Sequence, residues 1–276
     1  MAFPFIRRFL AINDSFPEKL PVEVVLLSKN SPTTGRRVFR SIVDHDLDIT
    51  RGAFMDGTSP YPYIAAFNAS LFLSADAADV EKAVEANYPA GTVLPSTVAD
   101  DPSDRELRIA FDFDCVIGDG ESESVYRDKG LSGFIAHETA HRDEPHDPGP
   151  LADLFQKLSF MQKLERKAVE SDRSYKPVIR TAIITSRNAP AHERMITTLE
   201  SWGVSADETF LLGGMAKHRV LDVMQPHVFF DDQKTHLESS AGNVPMVHIP
   251  LARRISQRAK RLANRRTGRR AGVVVL

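Results

Sequence analysis

The residues best able to do chemistry in this chain stand at the ends of apolar runs. Leu107-Arg-Ile-Ala-Phe reads as a strand and runs into Asp112-Phe-Asp114-Cys-Val116. Strand side chains alternate, so carboxylates two positions apart face roughly the same way. Two acids this close repel, and burying them is costly unless a cation or a shared proton relieves the repulsion; left in water past the strand end, they carry no such cost. Three more features follow in chain order. Ala182-Ile-Ile-Thr185-Ser186-Arg187 brings hydroxyls to a second strand end, Gly213-Gly-Met-Ala-Lys217 sets a lysine after a glycine turn at a helix start, and Val228-Phe-Phe-Asp231-Asp232 closes a third strand in paired acids.

Other patterns have plainer readings. His137-Glu138-Thr-Ala-His141 matches a two-histidine zinc motif, but so short a pattern arises readily by chance and the sequence offers no third ligand. His137 and Glu138 are expected in a helical segment where they reach substrate, with His141 a solvated loop histidine. A cysteine phosphatase needs an arginine six residues after its thiolate; position 121 is Glu, so Cys115 reads as a small packed residue. Arg187, at a strand end, suits either a substrate contact or a pairing with local acids, and Arg194, mid-helix, suits a structural salt bridge. Arg51, Phe54, Tyr61 and Tyr63 share a Gly- and Pro-punctuated region, where aromatic faces either stack on a base or pack the core.

The elements that must position these groups alternate between strand and helix. Val22–Leu27, Ser70–Leu73, Leu107–Phe111, Val178–Thr185, His227–Phe230 and Val244–Ile249 read as strands. Helical stretches between them argue for a mostly parallel α/β sheet, whose active crevice lies at the carboxyl ends of strands. One helix follows Thr185, with Asn188 as its cap, Pro190 in its first turn and Gly203 at its end; another starts near Lys217 and stops before Pro226. Residues 1–100 form an N-terminal α/β segment and 95–106 a polar, proline-bearing linker. Segments 105–118 and 177–250 make the core, and 119–176 a helical insertion broken by a loop over His141–Pro150.

Composition narrows the class. The 276 residues, 42% hydrophobic and 26% charged, suit a globular chain with a full core. A net charge of −2 conceals an asymmetry: nine Arg or Lys and no acid follow Leu251, leaving 26 bases against 37 acids before it. An acidic body does not suit duplex nucleic acid. The basic tail, residues 251–276, spaces Leu251, Ile255, Ala259 and Leu262 at helical intervals, a pattern for an acidic surface, including that of a neighbouring subunit in a homo-oligomer, or for a frayed terminus. One cysteine excludes an internal disulfide framework and fits a reducing compartment. With no run long enough for a transmembrane segment, a cytoplasmic location is expected.

Taken together, hydrophobic-Asp-x-Asp-x-Val, hydrophobic-Thr, Lys and hydrophobic-Asp-Asp resemble the four motifs of haloacid dehalogenase (HAD) superfamily phosphatases. The flanks are similar to the type I cytosolic 5'-nucleotidase family: Val25-Leu-Leu-Ser-Lys-Asn-Ser-Pro-x-Thr-Gly, Leu47-Asp-Ile-Thr-Arg-Gly-Ala-Phe, Asn68-Ala-Ser-Leu-Phe-Leu-Ser-Ala, Gly133-Phe-Ile-Ala-His-Glu138, Arg187-Asn-Ala-Pro-Ala-His-Glu-Arg194 and Phe229-Phe-Asp-Asp-Gln233. This resemblance implies a HAD-like Rossmannoid sheet with a helical cap and an N-terminal α/β extension. It also implies magnesium-dependent hydrolysis of nucleoside 5'-monophosphates. Asp112 is then the nucleophile, Asp114 the acid and base, and Thr185, Ser186 and Lys217 the phosphate holders. Asp112, Asp114 (through its backbone carbonyl), Asp231 and Asp232 hold Mg2+, while Arg187, His137, Glu138 and Arg51 are candidate substrate contacts. Phe113 stands where the family usually has a small residue, so it is expected near the substrate. The same residues leave open another small phosphate ester, transfer of the phosphoryl group to a second nucleoside, or a non-catalytic nucleotide-binding module.

Overall fold

The computed structural model describes residues 3–238, 244–251 and 272–275. Its N-terminal half contains α1 (Phe3–Ser15), β1 (Val22–Ser28), α2 (Pro32–Asp44), β2 (Arg51–Phe54), β3 (Leu71–Ser74), α3 (Ala77–Glu85) and β4 (Ala90–Val93). The second half adds β5 (Leu107–Phe111), α4 (Glu121–Ala140), α5 (Ala152–Ser171), β6 (Ile179–Thr185), α6 (His192–Ser201), β7 (Glu208–Leu211), α7 (His218–Met224), β8 (Val228–Asp231), α8 (Lys234–Glu238) and β9 (Met246–His248). A last strand, β10 (Gly272–Val275), returns to the N-terminal half.

The ten strands among the described residues form one sheet, ordered β2-β1-β10-β3-β4-β9-β8-β5-β6-β7. Every neighbouring pair is parallel except β4 and β9, where Thr92 faces His248 and Val93 faces Val247. Two parallel α/β halves are thus fused edge to edge with opposite strand directions, so their carboxyl ends lie on opposite edges of the sheet. The loops after β1 and β2 meet on the N-terminal half's carboxyl edge, where Asp56 N–H donates to Asn30 O and Gly57 N–H to Lys29 O. In the other half the chain runs from β5 outward to β6 and β7, then recrosses to place β8 on the far side of β5. The crevice between β5 and β8 is therefore a topological switch point, where open α/β sheets bind ligands.

Aliphatic and aromatic side chains from both halves share one core: Phe5, Phe9 and Ile12 of α1 join Ile109, Phe111 and Phe230 of the central strands. Arg7 and Arg8 of α1 pair with Asp100, which ties the expected linker to the first helix. The two helices of the expected 119–176 insertion have different surroundings. Helix α5 buries Leu154, Phe155, Leu158 and Met161, and Phe155 meets Phe111 edge-on at 5.5 Å, so it packs on the sheet as an ordinary crossover helix. Helix α4 is broken at Gly130, φ +67, and packs against α6 and the turn that follows β5. Helix α6 starts at His192, and Ala191 rather than Asn188 occupies its cap, without a side-chain hydrogen bond; α7 begins after Lys217 and stops before Pro226, where its sequence places it. The amphipathic spacing expected after Leu251 lies outside the described residues.

Candidate functional site

Pairing register assembles the site. Phe111 is opposite Phe230, and Asp112 N–H donates to Phe230 O at 2.8 Å, so the residues that follow, Asp112 and Asp231, leave adjacent strand ends together. Both are buried. Lys217, buried at the start of α7, bridges them, its Nζ 2.6 Å from Asp112 Oδ2 and 2.8 Å from Asp231 Oδ2. Thr185, also buried, ends the neighbouring β6, and Ser186 beside it is exposed.

One lysine does not neutralise this much acid. Burial pushes the Asp112 carboxyl up to about 7 despite Lys217, with Asp231 and Asp114 adding repulsion. Asp232 rises to about 8 from burial and from Asp112 and Asp231. Burial also opposes charge on Asp231, yet His236 and Lys217 outweigh it and hold that carboxyl below its ordinary value. A small region that stabilises one cation and still disfavours its remaining carboxylates is suited to a second cation.

Asp112, Asp231 and His236 present ligand atoms within 4.8 Å of one another. The side chains of Asp114 and Asp232 are not in this group. His236 lies 3.1 Å from Asp231 Oδ2, placed by the first turn of α8. Nothing in Gln233-Lys-Thr-His236 marked it, because its role follows from how a short helix folds back over Asp231. Asp119, Glu121 and His146 form another such group, but Glu121 is already paired with Arg194 and His137.

The turn Phe113–Ile117 shapes the other wall. Cys115 adopts φ +61, a left-handed conformation uncommon for a residue with a Cβ and typical of functional turns. Burial and the nearby Asp232 and Asp114 push its thiol up, so it offers no thiolate. Phe113 turns inward, fully buried, with His146 edge-on at 5.6 Å and the Arg187 guanidinium over its ring at 5.1 Å. Its ring thus packs inside the protein, directly between Asp112 and Asp114 in the chain. Gly118 makes room for it, since a Cβ there would sit 2.9 Å from the ring.

Asp114 and two of the predicted substrate contacts, Arg187 and Glu138, form a polar network that is largely buried. Arg187 grips Asp114 bidentately, Nε to Oδ2 at 2.9 Å and NH2 to Oδ1 at 2.7 Å. Its NH1 pairs with Glu138 and donates to Ala191 O, and its NH2 also meets Ser122 Oγ at 3.0 Å. The guanidinium is thus saturated by protein acceptors. Glu138, fully buried on α4, takes Arg187, Arg194, Ser122 and His146 at once, and despite burial those partners hold its carboxyl far below the usual range. Arg194 is the salt-bridging residue its position suggested, though its partners are Glu138 and Glu121 of α4. His137 touches Glu121 and stacks near His141 at 4.2 Å. Arg51, on β2, pairs with Glu23 of β1 and lies seven strands from β5, on the order of 30 Å away.

A model of the 5'-nucleotidase family matches residues 1–256. The chain belongs to the 5'-nucleotidase family. Human cytosolic 5'-nucleotidase 1B is 30% identical to it over 245 residues, which is 87% of this chain and 40% of the human protein. This 5'-nucleotidase-family chain therefore spans less than half of that relative. The family match takes in every residue of the switch-point crevice and stops short of β10.

Proposed function

We propose that the chain hydrolyses nucleoside 5'-monophosphates to nucleoside and phosphate. The observation that carries this reading is the meeting of Asp112, Asp231 and the ammonium of Lys217 at the switch point of a 5'-nucleotidase-family sheet. Asp112 is the nucleophile, its carboxylate oxygen forming a bond to phosphorus as the bond to the 5'-oxygen breaks. Asp114 supplies the proton the leaving oxygen needs, then takes one from the water that hydrolyses the aspartyl-phosphate. Thr185, Ser186 and Lys217 hold the phosphoryl oxygens while charge spreads over them.

The oxygen-rich donor set of Asp112 and Asp231, with the Asp112 carboxyl raised for want of positive charge, fits a hard divalent cation. Magnesium bound there, with Asp232 beside it and His236 behind Asp231, supplies the screening that lets an anionic nucleophile meet an anionic phosphate. Among the described residues no helix is long and apolar enough to cross a membrane, and we carry the cytosol of the relative's name over as the proposed compartment.

Phosphate release across a panel of nucleoside monophosphates and sugar phosphates, with and without chelator, tests the reading. Turnover of nucleotides well above the other esters, abolished by chelator and restored by magnesium, is expected. Equal turnover of all esters defeats the nucleotidase assignment, and chelator-insensitive turnover defeats the metal.

A further inference from the structure

Arg187 has every donor committed to protein, and two of its bonds close on the carboxylate proposed as the proton carrier. A buried guanidinium with fixed acceptors has one available orientation, and a bidentate fork transmits that orientation to the carboxylate it holds. The acceptors that fix it come from the cap helix: Glu138 and Ser122 both belong to α4, and Arg194 of α6 braces Glu138 from the other side at 3.0 Å. The rings of Phe113 and Phe134 sandwich the guanidinium at 5.1 and 5.3 Å, closing the remaining directions.

We propose that Arg187, clamped by Glu138 and Ser122 of helix α4, is the positioning residue that aims the Asp114 carboxyl for hydrolysis of the aspartyl-phosphate. In this step the water oxygen bonds to phosphorus, its proton passes to Asp114, and the bond from phosphorus to Asp112 breaks, returning the Asp112 carboxylate and inorganic phosphate. In the earlier step the same carboxyl gives its proton to the leaving 5'-oxygen as Asp112 attacks. Loss of the clamp thus slows both half-reactions. The inference rests on the proposed nucleotidase mechanism.

The test is rapid acid quenching through a single turnover of 5'-nucleotide labelled with radioactive phosphate, comparing wild type with Arg187→Lys and Ser122→Ala. Lysine keeps the charge and loses the fork; alanine at 122 removes a neutral acceptor and leaves no buried charge unpaired, so it stays informative if Arg187→Lys does not fold. A misplaced catalytic group costs up to about a hundredfold. Arg187→Lys is expected to slow formation and decay of the phosphoenzyme by up to about that factor, and Ser122→Ala to slow both by less. A merely structural role lowers the amplitude through fewer folded molecules and leaves both rate constants at the wild-type level. That result in either folded variant overturns the inference and leaves the nucleotidase reading standing. A wild-type enzyme that neither hydrolyses nucleotide nor forms a trappable intermediate defeats both.

Discussion

Asp112 is an acid made expensive by its surroundings: buried, beside Asp231 and Asp114, and relieved by Lys217 and by the Phe113 N–H that donates to its Oδ1. Asp112→Asn keeps the shape and removes the attacking charge, so phosphate release should fall more than about a thousandfold. The melting temperature should move by no more than a few degrees; residual activity within tenfold of wild type would sink the nucleophile assignment. A second residue-scale consequence lies at the opposite end of β5. His227 Nδ1 accepts the Arg108 backbone N–H at 3.0 Å, which requires a neutral ring. Burial, with Arg8 and Arg108 nearby, pushes its pKa down from 6.5 to about 4. The unfolded chain therefore binds this proton first as pH falls, and stability present above pH 6.5 is lost progressively toward pH 4, by about 2 kcal/mol. Denaturant titrations across that interval should show the loss. His227→Asn, whose Oδ1 can take the same amide, should flatten it; an unchanged slope would refute the assignment.

Elements differ in how openly the sequence declared them. The strands β1, β5, β6 and β8 came from mainly apolar runs because each is covered on both faces, and the ends of β5, β6 and β8 carry the acids and hydroxyls that register then brings together. Strands β2, Arg51-Gly-Ala-Phe, and β7, Glu208-Thr-Phe-Leu, lie at the sheet edges and are partly exposed, so they lack that signature. Asp112, Lys217 and the paired acids Asp231 and Asp232 stood out in the sequence by their types and spacing. His236 and the Glu138–Arg187 clamp were not, since they depend on how separate helices dock. The Phe113–Ile117 turn yields a prediction of its own. Asp119 N–H donates to Asp147 O and Gly149 N–H to Ile117 O, so the segment around Gly149 supports the turn from behind. A Cβ at 149 would press on Gly118 O and lie 2.8 Å from Val116 O, and both are backbone atoms that cannot swing aside. Gly149→Ala should cost about 1–3 kcal/mol of stability and lower kcat in the surviving folded fraction. Wild-type values for both would mean that the turn yields freely.

At the scale of the molecule, the sheet owes its continuity to a strand that arrives last. β10 separates β1 from β3 and pairs in parallel with each, Val25 with Val275 and Leu71 with Val274. A chain ended after Leu251 loses that strand and leaves two backbone rows unpaired within the sheet, an invitation to association. Its melting temperature should fall by at least about 4 °C and its tendency to aggregate should rise, while kcat per folded molecule holds, because the crevice lies between β5 and β8. An unchanged melting temperature would show that β10 adds nothing to the fold.

Among the described strands, the single antiparallel seam between β4 and β9 also decides which way the protein can be mounted. Because it turns the carboxyl ends of the two halves to opposite edges, the loop Asp56-Gly-Thr58 projects from the edge away from Asp112, with open space around Gly57. An affinity tag or surface linker inserted there would hold the protein by its back and leave the crevice between β5 and β8 facing the bulk solution.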